Sequence, residues 1–85
     1  MRESEIIGAI DARVRNSKTV DYSIWAIGIT NDPDRRRGEH GEPEYWMSWK
    51  GDTETIARNV ESHFIEKGMK GGTGGGERPT HVYIF

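Results

Sequence analysis

The chain has 85 residues, of which 33% are hydrophobic and 31% charged, and its formal net charge at pH 7 is −2. We expect one small cytoplasmic domain over residues 1–85, because no apolar run approaches the roughly 20 residues of a membrane span and the N-terminal residues lack signal-peptide features. The absence of cysteine excludes disulfide bonds and thiolate metal sites, and the acidic balance counts against tight non-specific binding of nucleic acid.

The first half of the chain predicts a helix, a strand and a short helix. Residues 4–17 are expected to be helical because apolar residues recur at helical spacing from Ile6 to Val14. Residues 22–29 predict a strand that is apolar on both faces, as expected of a central strand. A short helix follows, with Pro33 suited to its first position because the missing N–H had no partner there.

The second half predicts a strand at 45–49, a helix with apolar residues from Ile56 to Ile65, a glycine-rich loop at 68–76 and a last strand at 81–85. The order α-β-α-β-α-β predicts an α/β domain of the α+β type, in which helices pack on a small, three-stranded, mainly antiparallel sheet. An exposed edge on the 81–85 strand would allow a homodimer by strand addition.

Three polar residues indicate a site for phosphodiester chemistry. Arg36 and His40 are four residues apart on the predicted short helix and therefore share a face. Glu61, four residues after Ala57, borders the apolar face of the third helix, where a carboxylate needs a partner or a metal ion. The acid would hold Mg²⁺, the Arg would stabilise charge on phosphorus and the His would carry protons. The alternative is a solvated Arg-rich helix and a Glu that points to water or pairs with a Lys.

The segment YSIWAIGITNDPDRRRGEH, residues 22–40, is followed by a strand and then by a helix that carries the pattern A-x-x-x-E, here Ala57 and Glu61. Over residues 22–68 this pattern resembles the GIY-YIG nuclease superfamily, with Gly28 at the glycine of the second motif. The resemblance implies a GIY-YIG-like fold and cleavage of DNA. It gives Arg36 and His40 catalytic roles and makes Glu61 the ligand of Mg²⁺ or another divalent cation. The glycine-rich loop is similar to that of small phage-type members.

Two departures from the motif concern the tyrosines. Ala26 occupies the tyrosine position of YIG, so the motif is degenerate, AIG. The GIY strand normally precedes YIG by a hairpin, and too few residues separate the first helix from Tyr22 to form that strand. We therefore hypothesise that the C-terminal strand fills the place, as in a circular permutation, with Tyr83 standing for the GIY tyrosine and Tyr22 as the other candidate hydroxyl. The alternative is that Tyr83 is an aromatic residue on an edge strand.

Candidate contacts to nucleic-acid phosphates are Arg35, Arg37, Lys67 and Lys70. The glycine-rich loop offers either an anion-binding nest of backbone N–H groups or a flexible connection. Thr73 lies near the position of the family's late Asn but is not an equivalent donor. The three Trp residues, at positions 25, 46 and 49, provide either stacking surfaces for unpaired bases or core packing.

Two functions of different classes follow. The first is a Mg²⁺-dependent endonuclease. The second is a catalytically inactive module that binds nucleic acid or a host protein, for example a phage-encoded inhibitor of a host system. Ala26 and the acidic balance favour the second, whereas Arg36, His40 and Glu61 favour the first.

Overall fold

The computed structural model describes residues 1–71 and 78–85, which form three α-helices and a four-stranded mixed sheet. The helices are α1 (Glu3–Arg15), α2 (Pro33–Glu39) and α3 (Glu54–Glu66), and the strands are β1 (Ala26–Thr30), β2 (Met47–Lys50), β3 (Lys70–Gly71) and β4 (His81–Ile84). Within the described residues, no helix is both long and apolar enough to cross a bilayer. The prediction of an α+β domain is confirmed at this level.

The sheet differs from the predicted one by an additional strand. Lys70 and Gly71 have little strand propensity, and they become β3 by pairing in parallel with Ala26 and Ile27 of β1. The predicted strand at 22–29 also begins later, because Tyr22–Ile24 form a 3-10 turn. This turn is stabilised by the Asp21 side chain, which accepts a hydrogen bond from the backbone N–H of Ser23 at 2.9 Å. Local capping therefore outweighs the strand propensity of these residues.

β4 lies in the interior of the sheet, whose strand order is β2-β4-β1-β3. It pairs antiparallel with β1 on one side and with β2 on the other. The prediction that the 81–85 strand offers a free edge for a homodimer is therefore wrong. Both rows of backbone hydrogen-bonding groups of β4 are already used within the sheet.

The register of the strands separates the sheet into an apolar face and a polar face. Ile27 of β1 lies opposite Ile84 of β4, and the next pair along the strands is Gly28 with Tyr83. Because side chains alternate across a strand, the two isoleucines and the tyrosine lie on opposite faces. The isoleucine face packs on buried residues of α1 and α3, and the resulting core contains Ile6, Ile10, Val14, Ile27, Ile29, Ala57, Val60, Phe64, Val82 and Ile84. The opposite face, the tyrosine face, carries Tyr83 and is contacted by α2.

Candidate functional site

α2 follows β1 directly, and its position is fixed by the turn between them. The backbone N–H of Asp32 donates to the hydroxyl oxygen of Thr30, a residue that is 1% exposed, and the Asp32 side chain accepts from the backbone N–H of Arg35. Pro33 occupies the first turn of α2, where its missing N–H costs nothing. Arg36 and His40, one turn apart, are thereby carried to the tyrosine face of the sheet.

Arg36 and His40 meet at the hydroxyl of Tyr83. The Nε of Arg36 lies 3.3 Å from the Tyr83 oxygen, and the Nε2 of His40 lies 3.0 Å from it. A guanidinium N–H can only donate, so the tyrosine oxygen accepts from Arg36. The hydroxyl proton is then available to His40, provided that Nε2 is the unprotonated nitrogen of the ring.

The charge state of His40 suits it to accept that proton. Burial lowers the pKa of His40, and the positive charge of Arg36 lowers it further, against a smaller opposing effect of Glu39. The imidazole is therefore neutral at neutral pH, with one nitrogen free to accept. Arg36 also forms an ion pair with Glu39, with Nη1 and Oε1 3.0 Å apart. This pair restrains the guanidinium from the side of α2.

Gly28 gives the Tyr83 side chain its place across β1. A Cβ atom at position 28 would lie 2.9 Å from Cε2 of Tyr83 and closer still to Cζ and Oη. Only a residue without a side chain therefore allows the phenol to lie over the strand. Gly28, the glycine of the second motif in the resemblance, therefore lies directly against the phenol of Tyr83.

Aromatic rings enclose Tyr83 on its other sides. Trp46 stacks on Tyr83 with ring centroids 4.4 Å apart and an interplanar angle of 14°. Phe85 lies 4.8 Å from the His40 ring and 5.6 Å from the Trp46 ring. As a result Tyr83 is only 2% exposed. The role of Phe85 was missed in the sequence, although it alternates with Tyr83 and so belongs to the same face.

Glu61 lies on the flank of α3 that is turned away from α1. Asn59, on the other flank, donates to Glu3 of α1 with Nδ2 and Oε1 3.0 Å apart. Ile65, one turn after Glu61, packs on β3, since a Cβ on Gly71 would come within 2.8 Å of its Cδ1. Glu61 is therefore on the side of α3 that faces the β1–β3 edge of the sheet.

The Glu61 carboxylate is partly buried and makes no hydrogen bond or ion pair with another described residue. Burial raises its pKa, and the charge of Arg58 opposes this only in part. β3 covers only Ala26 and Ile27 of β1, so the edge of β1 at Gly28 is not covered by a described strand. Among the described residues this carboxylate therefore has no partner, and the helix that carries it packs on the isoleucine face of the sheet, opposite the face that carries Tyr83.

A divalent cation fits this carboxylate in one way only. Within residues 1–71 and 78–85, no group of three or more His, Asp or Glu side chains is placed to hold a metal ion. Mg²⁺ is commonly bound by one or two carboxylates, waters and the phosphates of its substrate. Glu61 therefore fits a cation whose coordination a bound phosphodiester completes, and it does not fit a preformed site made of protein groups alone.

Tyr22, the other candidate hydroxyl, lies away from this cluster. It donates to Asp11 of α1 with Oη and Oδ1 2.6 Å apart, and its ring stacks on Phe64. Lys67 approaches the same Asp11 oxygen at 3.3 Å. Burial alone would raise the pKa of Asp11, but the hydrogen bonds from Tyr22 and Lys67 and the charges of Lys67 and Arg15 outweigh it, so the pKa is lowered. The structure thus places Tyr22 in the contact between α1 and α3.

Replacement of Tyr22 by Phe tests this assignment. We expect Tyr22→Phe to lower the free energy of unfolding at pH 7 by about 1.5–3 kcal/mol, the usual range for a hydrogen bond to a charged group. The pKa of Asp11 is depressed in the folded state, so the stabilisation is present above its ordinary value of 3.8 and is lost as the pH falls through the folded value. Urea unfolding at pH 7 and near pH 2.5 should show a smaller difference between variant and wild type at the lower pH.

The remaining basic candidates divide between the two sides of the molecule. Arg35 and Arg37 are exposed on α2 and contact Asn31 and the carbonyl of Pro43, respectively. Lys67 is committed to Asp11, and Lys70 is exposed in β3. Thr73 and most of the glycine-rich loop lie outside the described residues.

The Trp residues are mainly packing groups. Trp25 is 6% exposed and Trp49 packs against the core, whereas Trp46 covers Tyr83. Comparisons with known protein families, with curated proteins and with solved structures find no match for this chain.

Proposed function

We propose that this chain is a GIY-YIG-like nuclease domain that cleaves phosphodiester bonds of DNA with the help of a divalent cation. The observation that carries the proposal is the convergence of Arg36 and His40 on the Tyr83 hydroxyl above Gly28. A guanidinium, an imidazole base and a hydroxyl that meet at one point form the set of groups expected at a phosphoryl-transfer site.

The strand order supports a permuted arrangement of the motif. β4, which carries Tyr83, is the antiparallel neighbour of β1, which carries Ala26 and Gly28. This is the relation that a hairpin would give the GIY and YIG strands. Tyr83 therefore provides the hydroxyl of the first motif from the other end of the chain, while the second motif, with Ala26, provides none.

Each residue has a separate part in the proposed reaction. Arg36 stabilises negative charge on the phosphate, and it retains its own charge at every pH of interest. Neutral His40 accepts the Tyr83 proton, so that the phenolic oxygen can orient or deprotonate an attacking water. Glu61 would hold Mg²⁺, which supplies charge stabilisation at the scissile phosphate. The Tyr83 ring is held in position by Trp46, which limits the geometries that the hydroxyl can adopt.

A second candidate function is a catalytically inactive binding module, and the burial of Tyr83 favours it. At 2% exposure, the hydroxyl meets a substrate only if a neighbouring side chain is displaced. The Arg36–Tyr83–His40 contacts would then serve to fix α2 on the sheet, and the exposed Arg35 and Arg37 would face nucleic acid or a host protein, as in a phage-encoded inhibitor.

A cleavage assay separates the two candidates. Wild-type protein should nick plasmid DNA in the presence of Mg²⁺ or Mn²⁺ and not in excess chelator. Absence of cleavage on duplex DNA, single-stranded DNA and RNA, at protein concentrations near those of the nucleic acid, would refute the nuclease. Binding that weakens steeply with salt would then indicate phosphate contacts, and binding insensitive to salt would indicate a protein partner.

Glu61→Gln is expected to lower metal-dependent cleavage by on the order of 100-fold or more, because it removes the proposed cation ligand and with it several kcal/mol of charge stabilisation. Glu66→Gln is the matched control, since Glu66 is an exposed carboxylate at the end of the same helix. Single-turnover rates measured across a series of Mn²⁺ concentrations will show whether the loss is in metal affinity. Equal cleavage rates for Glu61→Gln and Glu66→Gln would show that Glu61 has no part in the reaction.

The same pair of variants tests the environment of Glu61 without any catalysis. Burial raises the pKa of Glu61 in the folded state. The favourable contribution of Glu61 to the free energy of unfolding is therefore present below its ordinary pKa of 4.5 and is lost as the pH rises through its pKa in the folded state. Glu61→Gln does not titrate. We therefore expect its melting temperature, relative to wild type, to be higher at pH 7 than at pH 4. Glu66→Gln, measured in the same way, is the reference for an exposed carboxylate of the same helix.

A further inference from the structure

A groove of about 470 Å³ lies beside the Tyr83 cluster, lined by Arg13, Lys18, Ile24, Trp25, Tyr45 and Phe85 among others. Its volume is within the range of sites that hold small organic groups. It is set between α1, the 3-10 turn and the residues that precede β2. None of the described residues that line it is acidic.

The lining of the groove combines aromatic side chains with cationic groups. The guanidinium of Arg13 lies over the Trp25 ring, 4.9 Å from its centroid. Tyr45 and Ile24 are 63% and 60% exposed at positions that line the groove, and Lys18 adds a second positive charge. Such a surface is complementary to a planar group that carries negative charge nearby.

Phe85 connects this groove to the proposed nuclease site. Its ring lines the groove and also lies 4.8 Å from the His40 ring and 6.1 Å from the Tyr83 ring. The Phe85 side chain therefore belongs both to the wall of the groove and to the surroundings of the Arg36–Tyr83–His40 cluster. A chain molecule with alternating rings and phosphates could occupy both places at once.

We propose that the groove binds an unstacked base of a nucleic acid whose neighbouring phosphate lies at Arg36, so that the preferred substrate is single-stranded or locally unpaired. The proposal rests on the proposed function for the phosphate position and adds the base site. Aromatic surfaces hold unpaired bases by stacking, largely without regard to sequence. A base inside a duplex is stacked on both sides and does not enter such a groove without being extruded.

The test uses fluorescence anisotropy with a labelled oligothymidylate of 12 nucleotides in excess chelator, so that cleavage does not occur. A 12-residue abasic oligonucleotide retains the phosphates and lacks the bases. We expect Tyr45→Ala to weaken binding of oligothymidylate about tenfold, in line with stacking contributions of single bases, and to leave binding of the abasic strand unchanged. Tyr45→Phe retains the ring and should bind as wild type does, and Val20→Ala is the control for loss of an exposed apolar side chain outside the groove.

Three results would overturn the proposal: an equal effect of Tyr45→Ala on both oligonucleotides, an effect no larger than that of Val20→Ala, or no binding of either strand at low salt. The last result would leave the groove to a protein ligand. The base site and the nuclease fail separately. Tyr45-dependent binding without cleavage would refute the nuclease and retain the base site, and cleavage without any Tyr45 dependence would do the reverse.

Discussion

Tyr83→Phe should reduce DNA cleavage by about 10²- to 10⁴-fold, the usual contribution of a positioned group that transfers protons. The substitution removes one oxygen, which accepts from Arg36 and faces Nε2 of His40. It leaves the ring that stacks on Trp46. The ring packing of the site should therefore survive, and the unfolding free energy should fall by about 1.5–3 kcal/mol, the usual range for a hydrogen bond to a charged group, which here is Arg36.

Tyr22→Phe is the matched control for this experiment, since it removes a tyrosine hydroxyl that pairs with Asp11, away from Arg36 and His40. It should cost stability and leave the cleavage rate per folded molecule unchanged. Single-turnover rates, corrected for the folded fraction from circular dichroism, make the comparison. If Tyr83→Phe cleaves as fast as Tyr22→Phe, the Tyr83 hydroxyl has no part in the reaction and the cluster is a structural contact.

Gly28→Ala should affect both folding and activity. The added methyl group would overlap the phenol of Tyr83. Because Trp46 stacks on that ring, the phenol cannot readily move away from β1 to relieve the overlap. We expect a loss of about 1–3 kcal/mol in unfolding free energy, typical of an overpacked position, and a loss of cleavage at least as large as that of Tyr83→Phe. Chemical denaturation and single-turnover kinetics measure the two effects.

Two comparisons make the prediction specific to the contact with Tyr83. Gly38→Ala, in α2, has no atom within 4 Å of the added Cβ and should stabilise the protein by up to about 1 kcal/mol through helix propensity. In a Tyr83→Leu background, the cost of Gly28→Ala should shrink, because neighbouring substitutions that act through one contact are not additive. An unchanged cost in that background would place the strain elsewhere.

The sequence was most informative where local rules decide the structure. Helical spacing predicts α1 and α3 to within two or three residues, and Pro33 predicts the start of α2. The four-residue interval between Arg36 and His40 correctly indicates a shared face, and both side chains reach the same hydroxyl. In each case, the relevant contacts or backbone conformations involve residues close together in the chain.

Features that depend on distant pairing were not accessible in the same way. β3 exists because Lys70 and Gly71 pair with β1, a contact that strand propensity does not encode. The position of Trp46 over Tyr83 requires β2 to pair with β4, a long-range contact that the alternation of Trp46 with Ser48 does not predict. The local pattern of His81–Ile84 does not distinguish an edge strand from an interior one, which is why its free edge was wrongly expected.

The interior position of β4 also has a consequence for the order of folding. β1 and β2 are not neighbours in the sheet, and each is joined to the other only through β4. Pairs such as Thr30 with His81 close large loops before any hydrogen bonds are formed between the strands. During synthesis, α1, β1, α2, β2 and α3 therefore emerge without a sheet on which to pack. Folding of this small protein should be slow for its size, and the sheet that joins β1 to β2 should form only after residues 81–84 have been synthesised.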